Sequence, residues 1–100
     1  FKKAVELGAK ITFGTDAGIY KHGDNAKQFA YMVEWGMSPL QAIQAATITS
    51  SELIGNNNLG RIKLGYAADL VGVKSNPLKN IRVLEDVSFV MKEGTVFKSQ

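Results

Sequence analysis

Cysteine is absent from this sequence, and only one histidine, His22, occurs in it. The first absence excludes disulfides and thiolate sites and is in keeping with a cytoplasmic protein. The second means that these residues hold at most a small part of a histidine-built metal centre. No apolar run approaches the roughly 18 residues of a membrane span, and no basic–apolar–cleavage pattern opens the chain, so no membrane partner is expected. A strong basic character is missing too. The net charge of +3 arises from 12 basic and 9 acidic residues, and the lysines are scattered from Lys2 to Lys98. They make no basic stripe with interleaved aromatics, which argues against nucleic acid as a partner.

What is present is an ordinary apolar fraction of 45%, enough for a folded chain but for a modest core at this length. Phe1 to Gly8 reads as the last turns of a helix closed by glycine, with Phe1, Val5 and Leu7 facing a partner and Lys2, Lys3 and Glu6 facing water. The sequence thus reads as starting inside an element, as a fragment would. Lys10–Phe13 reads as a strand. Residues 14–24 hold three glycines and read as a loop. Asn25 to Trp35 repeats Ala26, Phe29, Met32 and Val33 at helical spacing, with Asp24 as N-cap and Gly36 as terminator.

Ser38-Pro39-Leu40-Gln41 is a capping box with proline at the first helical position. Leu40, Ile43 and Ala46-Thr47 are expected on one face of the helix it opens. Ala42 and Ala45 permit close approach to a neighbour. Thr49 and Glu52 suggest a second box, opening a short helix that stops at Gly55. From Asn56 the character changes. Leu59–Gly65, Ala68–Val73, Ile81–Leu84 and Val87–Met91 read as strands, although Gly72 weakens the interior of the second. Lys92-Glu93-Gly94-Thr95 reads as a hairpin turn with Val96-Phe97 as its return. The order suggests two incomplete pieces meeting near residue 56.

The most informative run is Ile11-Thr-Phe-Gly-Thr-Asp-Ala-Gly18, in which an apolar stretch leads into a small-residue turn displaying one acid, Asp16. In parallel α/β architectures, ligands sit beyond the carboxyl ends of strands, where Asp16 would stand. From spacing alone, an acid that caps a loop or helix is the favoured reading.

Three stretches together resemble the C-terminal end of a metal-dependent amidohydrolase of the imidazolonepropionase-like branch, which includes Xaa-Pro and Xaa-Arg dipeptidases. Phe13-Gly14-Thr15-Asp16-Ala17-Gly18 resembles the end of the eighth barrel strand. Gly36 to Ile43, Ala45-Ala46-Thr47 and Ser51 to Gly55 resemble the last barrel helices. Leu59-Gly60-Arg61-Ile62, Gly65, Ala68-Asp69-Leu70-Val71 and Asn76-Pro77-Leu78 resemble the return into a flanking β-sandwich.

The resemblance implies an α/β chain: residues 1–55 as the last strand and helices of a (β/α)8 barrel, and residues 56–100 as part of the composite sandwich. It implies hydrolysis of an amide bond in a dipeptide or N-acyl amino acid. The alternatives are an imidazolonepropionase-type cyclic amidohydrolase or a non-catalytic fragment. Asp16 would be both a ligand to a divalent metal such as Zn2+ and the catalytic proton acceptor. His22 would line the substrate site. The remaining ligands would come from the rest of the same enzyme, itself a homo-oligomer. Without those strands the 100 residues are expected to be inactive.

Three further residues carry expectations. Lys21, in the same loop, reads as a solvated lysine. Asp69 reads as a structural acid that orients a turn by accepting backbone hydrogen bonds. Trp35 is expected against the barrel exterior or a partner subunit.

Overall fold

The computed structural model describes residues 1–14, 25–56 and 58–99. Helix α1 spans Lys2–Glu6. It ends as the glycine predicts: Gly8 has φ +75°, and its N–H donates to the Val5 carbonyl at 3.1 Å. The expected apolar face is only partly used, because Val5 packs on the core while Leu7 is 77% exposed.

Among the described residues, 10–13 pair with no strand. They carry no sheet ladder, and their backbone is held instead through the Phe13 N–H, which donates to the Ala45 carbonyl at 3.2 Å. An extended segment becomes a strand only beside a neighbour, and the strands among the described residues lie elsewhere.

A 3-10 turn, Asn25–Lys27, leads into α2, Gln28–Glu34. Gly36, at φ +126°, reverses the chain into α3, Pro39–Ala46. The capping box forms as expected. The Gln41 N–H donates to Ser38 Oγ at 3.1 Å, and the Ser38 N–H donates to Gln41 Oε1 at 2.8 Å. Two orphan donors at the helix start are thereby satisfied. The face turned inward is that of Ala42 and Ala45, at 0% and 1% exposure, while Leu40 is half-exposed. The small residues let α2 and α3 approach, so the larger side chains flank the contact.

Helix α4, Ile48–Ile54, follows α3 after a corner at Thr47 (φ −122°, ψ −88°). The corner releases carbonyls from the helical pattern, and hydroxyls collect them. Thr47 Oγ1 donates to the Ile43 carbonyl at 2.8 Å, and Ser50 Oγ to the Ala45 carbonyl at 2.6 Å. The expected Thr49–Glu52 box does not form. The helix begins at Ile48 with no side-chain cap, so Thr49 already lies in the first turn, and Glu52 pairs with Lys10 at 3.4 Å. Gly55, at φ +82°, ends α4 in the left-handed conformation.

Residues 59–65 are bends and turns rather than a strand. Gly60 dictates this: at φ +88° it lies so close to the corner that a Cβ would meet the Thr47 carbonyl oxygen at 2.7 Å. The three-stranded antiparallel sheet has the order β1-β2-β3, with β1 at Leu70–Gly72, β2 at Phe89–Lys92 and β3 at Thr95–Ser99. The hairpin between β2 and β3 turns through Glu93 and Gly94, at φ +49° and +81°. Positive φ at both central residues matches the strand twist of a tight hairpin. Gly72 tightens its strand rather than loosening it. A Cβ there would stand 3.0 Å from Phe89 Cβ, and the Ser88 N–H donates to the Gly72 carbonyl at 2.9 Å.

The expected strand at residues 81–84 is a 3-10 helix, Ile81–Glu85. Asn80 Oδ1 accepts the Arg82 N–H at 3.1 Å and starts that turn instead of an extended run. Ile81 then joins Ala30, Met32, Met37, Ala42 and Ala45 in the buried core. That core is thin, and much apolar surface remains open: Ile62 is 90% exposed, Leu64 fully, and Leu53 and Ile54 nearly three-quarters. Trp35 lies on the surface, half-exposed, stacked on Tyr31 at 5.7 Å and edge-on to Phe1 at 6.4 Å.

Candidate active site

The run expected to carry the chemistry enters from residues 11–13. Three contacts fix its last described part. The Phe13 N–H donates to the Ala45 carbonyl that the α3–α4 corner exposes. The Phe13 ring lies 4.5 Å from the Phe29 ring, tilted by 32°. Gln28 Nε2, at the first position of α2, donates to the Gly14 carbonyl at 2.9 Å. Side chains at a helix start lean back past its N-terminus, which is why Gln28 reaches a residue 14 positions earlier in the sequence.

Asp16 and His22, the two site residues read from the sequence, lie outside the described residues, as do Thr15, Gly18, Tyr20, Lys21 and Asp24. The described residues flank them on both sides, and the Gln28–Gly14 bond joins those flanks. Neither Gln28 nor Ala45 was evident as a site-associated residue in the sequence. The usable signal for Gln28 is an amide in the first turn of the helix that follows a glycine-rich loop, next to an aromatic on its apolar face.

Among the described residues no three His, Cys, Asp or Glu side chains gather into a metal-binding group, and no helix is long and apolar enough to cross a membrane. An apolar concavity of about 460 Å³ runs between the α3–α4 corner and β1, lined by Ile43, Thr47, Ser50, Ile54, Ile62 and Leu70 among others. It does not include Phe13, Gly14 or Gln28.

Asp69 acts as the sequence suggests. Its Oδ1 accepts the Glu93 N–H at 2.8 Å and its Oδ2 faces Lys92 Nζ at 3.4 Å. That backbone hydrogen bond above all holds its carboxyl below the usual aspartate range; desolvation opposes it, and Lys92 adds smaller contributions that lower it. This is a hairpin clamp.

The amidohydrolase family profile matches residues 1–97, and the chain belongs to that family. Ochratoxinase from Aspergillus niger is 35% identical over 104 residues, covering 98% of this chain and 21% of that protein. The crystal structure of a Xaa-Pro dipeptidase with bound methionine in its active site superposes with a TM-score of 0.94 at 49% identity. It covers 98% of this chain and 24% of the other. A prolidase complexed with N-methylphosphonate-L-proline gives a TM-score of 0.85 at 31% identity, covering 99% and 26%. The chain therefore spans about a quarter or less of the length of these relatives.

Proposed function

We propose that this chain is the C-terminal portion of a metal-dependent hydrolase that cleaves the amide bond of a dipeptide or N-acyl amino acid. The observation that carries the reading is the likeness to the Xaa-Pro dipeptidase, which extends over 98% of this chain at 49% identity. Residues 1–55 would supply the last strand and helices of a (β/α)8 barrel. Residues 56–100 would supply part of the flanking β-sandwich, with Ile81 returning to the helical side. The exposed Ile62, Leu64, Leu53 and Ile54 support a chain that works with the rest of the same enzyme covering it. The assembled enzyme would be a cytoplasmic homo-oligomer.

Asp16 is proposed as the catalytic acid–base residue and as a metal ligand, with His22 contacting substrate. A carboxylate oxygen suits a hard or borderline divalent ion such as Zn2+. One carboxylate is not a site, however, so the other ligands would come from the missing barrel strands. When bound, such an ion lowers the pKa of water and polarises the scissile carbonyl. The task of Asp16 is to take a proton from the attacking water and return it to the departing amine.

The test is Asp16→Asn in the complete enzyme, assayed on Xaa-Pro dipeptides, N-acyl amino acids and imidazolonepropionate. Loss of turnover by about 10²-fold or more, with folding and melting temperature unchanged, is expected. Wild-type turnover, or a loss explained by unfolding, would refute the assignment. Activity confined to imidazolonepropionate would refute the substrate class. The 100-residue chain alone is expected to hydrolyse none of them.

A further inference from the structure

We propose that the exposed aromatic patch of Phe1, Tyr31 and Trp35 is the centre of a two-fold interface between two copies of the complete enzyme. The inference rests on the reading of residues 1–55 as part of a barrel only where it excludes cover by the enzyme's own strands.

On α2, Phe29 and Val33 pack against the core, and the Phe29 ring meets the Phe13 ring at 4.5 Å. That contact marks the side of the helix that faces residues 10–13. At about 100° per residue, Tyr31 and Trp35 fall on the opposite side, and both are exposed. Barrel helices form a ring outside the strands. The remaining strands therefore lie on the Phe13 side, and the patch faces outward.

The patch is ordered before any partner arrives. Tyr31 and Trp35 stack at 5.7 Å, and Phe1, at the start of α1, stands edge-on to Trp35 at 6.4 Å. Rings that already hold one another lose little freedom on binding. Three half-exposed rings leave about 300 Å² of apolar surface open on each copy. That is the size of an interface core, and a polar rim must bring it to the roughly 800 Å² per partner of a stable complex.

The rim carries charges suited to self-pairing. Glu34 flanks the stack on α2, and Lys2 and Lys3 follow Phe1 on α1. Lys2 also lies beside the residue after Trp35, since a Cβ at Gly36 would meet its Cγ at 3.4 Å. All three charged residues are exposed, and among the described residues none belongs to an ion pair. A two-fold axis makes each contact reciprocal, so Glu34 of each copy faces Lys2 and Lys3 of the other.

The experiment measures the mass of the complete enzyme by sedimentation equilibrium, with circular dichroism as the folding control. The wild type is expected to hold an even number of subunits. Trp35→Ala should weaken the contact about thirtyfold or more and give particles of half that mass with the helical signal intact. Glu34→Lys and the double variant Lys2→Glu/Lys3→Glu should each dissociate likewise. An equimolar mixture of those two should return to the wild-type mass, because only the mixed pair restores opposite charges at both contacts.

A monomeric wild type, wild-type mass in Trp35→Ala, or a mixture that stays dissociated would each overturn the inference. Wild-type mass with a lowered melting temperature in Trp35→Ala would assign the patch to cover by the subunit's own chain and overturn it equally. Should Trp35→Ala lose its helical signal, the mixture alone decides, since mixing cannot restore an unfolded subunit. Mass is read without substrate, so absence of amide hydrolysis would leave this inference standing, and loss of the interface would leave the hydrolase reading standing.

Discussion

Replacing Gly60 by alanine perturbs the closest approach made at any described glycine, and the cost has two separable parts. The first is conformational. At φ +88° an L-residue gives up about 1–2 kcal/mol relative to glycine, offset by about 0.4–1 kcal/mol from the narrower unfolded ensemble of alanine. The second is steric. The new Cβ would meet the Thr47 carbonyl oxygen at 2.7 Å, its carbon at 2.9 Å and Ser51 Cβ at 3.1 Å. Two of these are rigid backbone atoms at the α3–α4 corner, so the loop or the corner must shift, and overpacking of this kind costs about 1–3 kcal/mol.

The net expectation is a destabilisation of about 2–4 kcal/mol. Gly65 is the built-in control: its φ is +87°, but a Cβ there meets nothing within 4 Å, so Gly65→Ala carries the conformational part alone. Urea unfolding of the complete enzyme, with both variants compared at equal m-value, reads the difference directly. If Gly60→Ala unfolds no more easily than Gly65→Ala, the close seating of residue 60 on Thr47 is refuted.

Two further outcomes follow from the caps and the hairpin. Ser38→Ala removes half of the capping box and is expected to cost about 1 kcal/mol, measured as a lowered urea midpoint, with Gln41→Ala costing less. A midpoint unchanged in both variants would remove the box from the stability account. Asp69 has a carboxyl pKa held below its ordinary value. Its contribution to the hairpin is therefore present above the ordinary aspartate pKa and is lost as pH falls through the lowered one. Hydrogen exchange at the Glu93 amide should accelerate, beyond the intrinsic pH trend, across that acidic window. Asp69→Asn should abolish this extra dependence, and an identical profile in both proteins would contradict the clamp.

Features set by a few adjacent residues were legible in the sequence. Ser38 to Gln41 declared its cap, Gly8 and Gly55 their helix ends, and Glu93-Gly94 its turn, because each depends on a local backbone preference. Strands were overread wherever β-branched and apolar residues clustered. Residues 10–13 and 59–65 lack a ladder, and Ile81–Glu85 wound into a 3-10 helix because Asn80 offered the Arg82 amide a nearer acceptor. Strand formation depends on a partner that the segment itself does not encode.

The second cap, at Thr49, failed by register. A two-residue difference in where α4 begins, with Thr47 at the capping position, takes Thr49 out of it. At the candidate site, the motif around Asp16 was visible but Gln28 was not. A hydrogen bond between positions 14 and 28 follows from how α2 is docked, which the sequence pattern of either segment leaves open.

The burial of Ile81 among side chains of α2 and α3 has a consequence for the order of folding. The helices at residues 28–46 leave the ribosome well before the residue that completes their core, at synthesis rates of about 5–20 residues per second. Until the 3-10 turn emerges, Ala30, Met32, Ala42 and Ala45 face an unfilled position, and closing it means joining segments far apart along the chain. A nascent chain halted before residue 81 should therefore remain protease-sensitive throughout its helical half, and one released after residue 85 should not.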